Sequence, residues 1–67
     1  MRFHRRDEYY ASTDDGRFII SRVFIRQQEF FEAWKDNQML GSVEAGENRR
    51  EAWKQAIEIC ASVSSRT

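Results

Sequence analysis

Between Phe18 and Val43 the chain reads FIISRVFIRQQEFFEAWKDNQMLGSV, and this stretch limits the fold more than any other. It is rich in β-branched and aromatic residues and, like the rest of the chain, has no proline. Such composition favours strands, and the polar pairs Gln27-Gln28 and Asp36-Asn37 divide the stretch into runs of strand length. The expected strands are Arg17–Arg26, Glu29–Lys35 and Gln38–Val43. Asp36-Asn37 is a good turn. Gln27-Gln28 is chemically a poor one, supported by the charge pair that a two-residue loop would set up between Arg26 and Glu29.

Upstream, Tyr9-Tyr10-Ala11-Ser12 suits a short strand. It leads into Thr13-Asp14-Asp15-Gly16, where Asp-Gly tolerates the positive φ of a tight hairpin. Asp14 and Asp15 therefore read as turn residues rather than a cation site. Residues 1–8 are polar, with Arg2, His4, Arg5 and Arg6 followed by Asp7 and Glu8. They are expected to form a flexible terminus, or in functional terms a short basic arm.

The assignment of faces depends on the turn at Gln27-Gln28. A strict two-residue loop groups Val23 and Ile25 with Phe30, Trp34, Met39 and Val43. One extra turn or bulge residue instead groups Phe18, Ile20 and Phe24 with that aromatic set. The second grouping gives the core more volume and sets Arg22 near Glu32, and it is the one expected. In both, large apolar residues lie on the two faces of the sheet, and one helix cannot cover both.

That helix follows the connection Glu44-Ala45-Gly46-Glu47. Asn48 with Glu51 three residues on has the spacing of a capping box, and the pattern runs from Arg49 to about Ser62. Ala52, Trp53, Ala56, Ile57, Ile59, Cys60 and Val63 share one broad stripe, with Arg50, Glu51, Lys54, Gln55 and Glu58 outside it. Ala52 and Ala56 let the helix approach the sheet closely. Residues 64–67 read as a flexible tail. The fold class is α+β: a three- to four-stranded antiparallel β-meander with one C-terminal α-helix packed on one face, in a single domain spanning 1–67.

At 67 residues the core is small, and such a core supplies only ~3–5 kcal/mol, which makes dimerisation a natural supplement. Eleven basic residues balance eleven acidic ones, so a broad electrostatic pull on phosphate is not expected unless charge is segregated by face. The lone Cys60 allows no internal disulfide and reads as a small buried hydrophobe. The only histidine, His4, lies in the terminal segment, and Gly16, Gly41 and Gly46 form no phosphate-cradling pattern. No catalytic set, metal site, cofactor or small-molecule substrate is indicated. No apolar run reaches membrane-span length and the N-terminus has no apolar leader, so a cytoplasmic protein is expected.

Two modes of binding are left. In the favoured one, aromatics on the uncovered sheet face, drawn from Tyr9, Tyr10, Phe24 and Phe31, contact a protein partner or a second copy of the chain. In the alternative, the sheet contacts DNA through Arg17, Arg22, Arg26 and Lys35, helped by Arg5 and Arg6.

The spacing Asp15-Gly16-Arg17-Phe18-x-Ile20, Ala33-Trp34, Leu40-Gly41, Glu51-Ala52 and Ala56 resembles short accessory proteins of bacteriophages and prophages. More remotely, three strands, a Leu-Gly near the last of them and an Ala-rich helix are similar to the AP2 and integrase arm-type DNA-binding domains. That second resemblance implies a sheet entering the major groove, with Arg17, Arg22, Arg26 and Lys35 as contacts. The neutral charge, Glu32 within the sheet and Gly46-Glu47-Asn48 before the helix all depart from that pattern.

Overall fold

The computed structural model describes residues 1–64. Five strands form one antiparallel sheet in sequence order: β1 His4–Arg5, β2 Tyr10–Ser12, β3 Phe18–Ile25, β4 Gln28–Lys35 and β5 Gln38–Glu44. A single helix, α1 (Arg49–Ser64), follows and packs on one face. The fold is α+β as expected, with one strand more than the upper count. The extra strand is β1, formed within the segment read as a flexible terminus; its pairings are His4 with Ser12 and Arg5 with Ala11. Of the expected C-terminal tail, Ser64 ends the helix and 65–67 lie outside the described residues.

The β3–β4 and β4–β5 hairpins are closed by two-residue turns. Arg26 and Gln27 have φ of 52° and 68°, and Asp36 and Asn37 have 49° and 68°. Positive φ at both central residues is the turn whose twist matches that of paired strands. Asp and Asn adopt it readily, whereas Arg and Gln do so under strain. The first reversal therefore falls one residue earlier than expected, and Ile25 faces Gln28 while Phe24 faces Glu29. Arg26 and Glu29 do not face each other.

Moving the turn by one residue shifts the register by two, which leaves the faces of a two-residue loop unchanged. The expected grouping of Phe18, Ile20 and Phe24 with Phe30 and Trp34 is therefore overturned. Val23 pairs with Phe30 and Ile19 with Trp34 on one face, while Ile20 pairs with Ala33 and Arg22 with Phe31 on the other. A bulge then adjusts β5. Ala33 faces Gly41 but Trp34 faces Met39, leaving Leu40 as the additional residue. Beyond it Val43 moves to the Phe31 side, away from the Trp34–Met39 set in which a regular strand would have placed it.

The core lies between α1 and the face bearing Phe18, Ile20, Phe31 and Ala33; Ala52, Ala56 and Cys60 face it from the helix. The row Ala11, Ile20, Ala33, Gly41 narrows toward β5, so the helix comes close there. A Cβ on Gly41 would meet Ile59 Cδ1 at 3.4 Å, a contact that Ala could make and a branched side chain could not. Burial raises the Cys60 thiol pKa, which keeps it protonated and inert. At the helix start, Asn48 Oδ1 accepts from Glu51 N at 3.1 Å, as an N-cap does. Trp53 meets the ring of Phe31 edge-on at 5.5 Å and that of Phe3 at 6.4 Å, and so fastens the N-terminus to the helix.

Two stability measurements follow from these contacts. Replacing Arg26-Gln27 by Asn-Gly removes left-handed strain at both positions and is expected to stabilise the domain by about 1 kcal/mol. Thermal unfolding should move up by about 4–8 °C; an unchanged midpoint would show that the turn is unstrained. Trp53→Ala removes the ring that joins Phe31 to Phe3 and should cost about 3 kcal/mol or more. A cooperative transition at the original midpoint would contradict that packing.

Candidate functional site

The helix lies over β4 and β5 and meets β3 only marginally. Two surfaces are thereby left free, and their chemistry differs.

The first is the face of the sheet opposite the helix. Cross-strand partners share a face, so the register gives its rows directly. One row is His4, Ser12, Ile19, Trp34 and Met39, and the next is Tyr10, Ser21, Glu32 and Ser42. Val23, Phe30 and Glu44 form a third, and Ile25 and Gln28 close the face at the hairpin tip. Ile25 is 54% exposed and Met39 43%, while Ile19, Val23, Phe30 and Trp34 are half-buried. The face thus has two apolar clusters with Glu32 and its serine neighbours between them. Its rows contain no lysine or arginine.

The second surface is a cleft of about 610 Å³ on the helix side, between the first turn of α1 and strands β1 to β3. Its cations are Arg5, Arg22, Arg49 and Arg50, and its rings include Phe3, Tyr9 and Trp53. Glu29 on β4, with its side chain 14% exposed, organises two of the arginines. It accepts a hydrogen bond from Arg22 Nε, and Arg49 Nε and Nη2 reach it at 2.9 and 3.2 Å. Arg22 also lies over the Phe24 ring, 5.0 Å from its centroid. The loop carrying Tyr9 is held by Asp7, whose Oδ1 accepts from Tyr9 N at 2.7 Å and Tyr10 N at 3.1 Å.

The sequence-derived candidates are distributed over both sides of the molecule. Among the aromatics, Tyr10 alone lies in the rows of the open face. Phe24 is exposed but shares the helix side with Glu29. Tyr9 is exposed at the cleft. Phe31 is 5% exposed beneath the helix, so it is a core residue and no partner can reach it. The open face is instead made by Ile19, Val23, Ile25, Phe30, Trp34 and Met39, whereas the expected grouping had set Phe30, Trp34 and Met39 with Phe18, Ile20 and Phe24.

The candidate nucleic-acid contacts do not gather on one sheet face. Arg22 and Lys35 belong to the helix side, where Lys35 Nζ sits 5.5 Å from the Phe18 ring centroid. Arg22 pairs with Glu29 rather than lying near Glu32. Arg26 is in the turn. Arg17 is tied to Asp36 at 3.2 Å, a hydrogen bond that raises its pKa further. Arg6 Nε donates to Ser12 Oγ at 2.8 Å, and Arg5 lines the cleft. At the β2–β3 turn, Asp15 is engaged by Thr13 Oγ1 at 2.7 Å and Arg17 N at 3.1 Å, bonds that lower its pKa. His4 Nε2 lies 2.7 Å from Asp14 Oδ1. Among the described residues, no group of three His, Cys, Asp or Glu is placed to hold a metal ion, and no helix is long and apolar enough to cross a membrane.

The Glu29 clamp is open to measurement. Glu29→Gln keeps the shape but leaves two guanidiniums beside a neutral amide. Loss of charge-assisted bonds at a largely buried site should lower stability by about 1–3 kcal/mol. A urea midpoint equal to that of the parent would show that the clamp contributes nothing.

No protein-family model, curated protein or solved structure matches the chain.

Proposed function

We propose that the chain is a small non-catalytic binding protein that works through the helix-free face of its sheet, and that the occupant of this face is a second copy of the chain. The observation that carries this reading is the cross-strand register. It aligns Ile19, Trp34 and Met39 in one row and Val23 and Phe30 in another, on a face that no helix or strand of the described structure covers, with Arg6 bonded to Ser12 at its edge. Exposed apolar patches of this kind mark contact surfaces.

Surface area supports the reading. Strands β3, β4 and β5 together make a plate about 14 Å wide and 26 Å long. Enlarged by β1 and β2, it is comparable to the ~500 Å² per partner at which specific interfaces begin. A two-fold axis along the β3–β4 boundary exchanges those strands. Ser21 of one copy then lies over Glu32 of the other, supplying a hydroxyl donor to the single carboxylate between the apolar clusters. A DNA-reading sheet receives no support from the geometry, because Glu32 and Glu44 occupy the face that would enter a groove.

Sedimentation or light scattering over a concentration series tests the proposal. The parent should associate, and Phe30→Asp should be monomeric with an unaltered fold by circular dichroism. Glu32→Gln should tighten association several-fold, because a neutral amide loses less on leaving water than a carboxylate does. A parent that stays monomeric at millimolar concentration removes the second copy as occupant. Weakening by Glu32→Gln would indicate instead a foreign partner that presents a cation to this carboxylate.

A further inference from the structure

The cleft on the helix side borders the dimer surface only at Tyr10 and breaks a local rule of helix design. The N-terminus of a helix carries partial positive charge, and cations in its first turn are unfavourable. Here Arg49 and Arg50 open the helix with Glu51 as the acid of the first turn, and the last described turn has no basic residue, so the positive charge gathers at the end where it is least favoured. Glu29 offsets Arg49; Arg50 makes no ion pair with any described residue. Departures of this type are expected at functional sites.

The cations also do not stand alone. Arg5 from β1 and Arg22 from β3 line the same cleft, so elements far apart in the chain converge on it. Four guanidiniums there face two carboxylates, Glu8 and Glu29, giving a local excess of positive charge on a chain that is neutral overall. Flat rings are interleaved with them. Tyr9 is 57% exposed, and its loop is fixed in advance by the two backbone bonds to Asp7. Trp53 forms the wall opposite, steadied by Phe3 and Phe31.

We infer that this cleft binds single-stranded nucleic acid, with phosphates held by Arg5, Arg49 and Arg50 and a base stacked on Tyr9. Positive charge along a backbone track with aromatic platforms beside it is how unpaired strands are held. An acidic peptide would use the arginines but not the rings. A duplex keeps its bases stacked and offers nothing to Tyr9.

The test is a fluorescence-anisotropy titration of the full chain with a labelled single-stranded oligonucleotide at low salt. Duplex, free mononucleotide and poly-glutamate serve as competitors. Binding is expected to weaken steeply with salt, and the oligonucleotide is expected to outcompete all three. Arg5→Ala with Arg50→Ala should lower the salt slope by about one to two. Tyr9→Ala should weaken binding about 10-fold at unchanged slope, and Tyr9→Phe should preserve it. These three side chains are exposed, so the variants should melt as the parent does. Phe30→Asp, on the opposite face, should bind as the parent does, which separates this proposal from the dimer. Absence of binding at low salt overturns the inference. So does equal competition by any of the three competitors, or indifference to Tyr9→Ala.

Discussion

The pairing of Ile20 with Ala33 sets which side chains the helix can reach, because successive strand residues point to opposite faces. A slip of one residue would put Phe30 and Trp34 under the helix and send Phe31 to solvent. Ala33 is small where it packs with Ala52 and Ala56, and Gly41 is small beneath Ile59, space that Trp34 could not occupy. The two-residue turn at Arg26-Gln27 holds this register despite unsuitable chemistry. The paired ladder of β3 and β4 imposes on it a backbone that neither residue prefers.

How much of this could be read from the amino acids varies with the range over which each feature is determined. Asp36-Asn37, the Asn48 cap and the alanine stripe of the helix are local, and their residue types declare them. The Arg26-Gln27 turn is hidden because neither residue favours positive φ, so Gln27-Gln28 looks equally good. The bulge at Leu40 has no marker beyond the neighbouring Gly41, and it alone moves Val43 into the core. Arg22 is assigned to Glu29 rather than Glu32 by the turn position, which residue counting could not settle. The cleft was the least legible feature, since Arg5, Arg22 and Arg49 meet only after folding. Its one local trace is Arg49-Arg50 placed just after a helix cap, where acidic residues are the usual choice.

Zero net charge concealed an uneven distribution. The open face of the sheet has two carboxylates and no cation in its strand rows, whereas the cleft gathers four arginines. Each surface would be electrostatically unsuited to the other's ligand. A small domain with opposite faces of different character can engage two partners at once without their overlapping. Glu29 anchors the helix start and fixes Arg22 and Arg49 beside the cleft.

The bulge at Leu40 has a further effect at the margin of the sheet. β5 is an outer strand, and an outer strand of seven regular residues would offer a template for open-ended growth by strand addition. The irregularity interrupts its spacing of free amides and carbonyls, and at the opposite margin β1 is only two residues long. Both borders are therefore poor templates. Under the proposed self-association, contact through the flat of the sheet would be closed and finite, with neither border offering a route to fibrils.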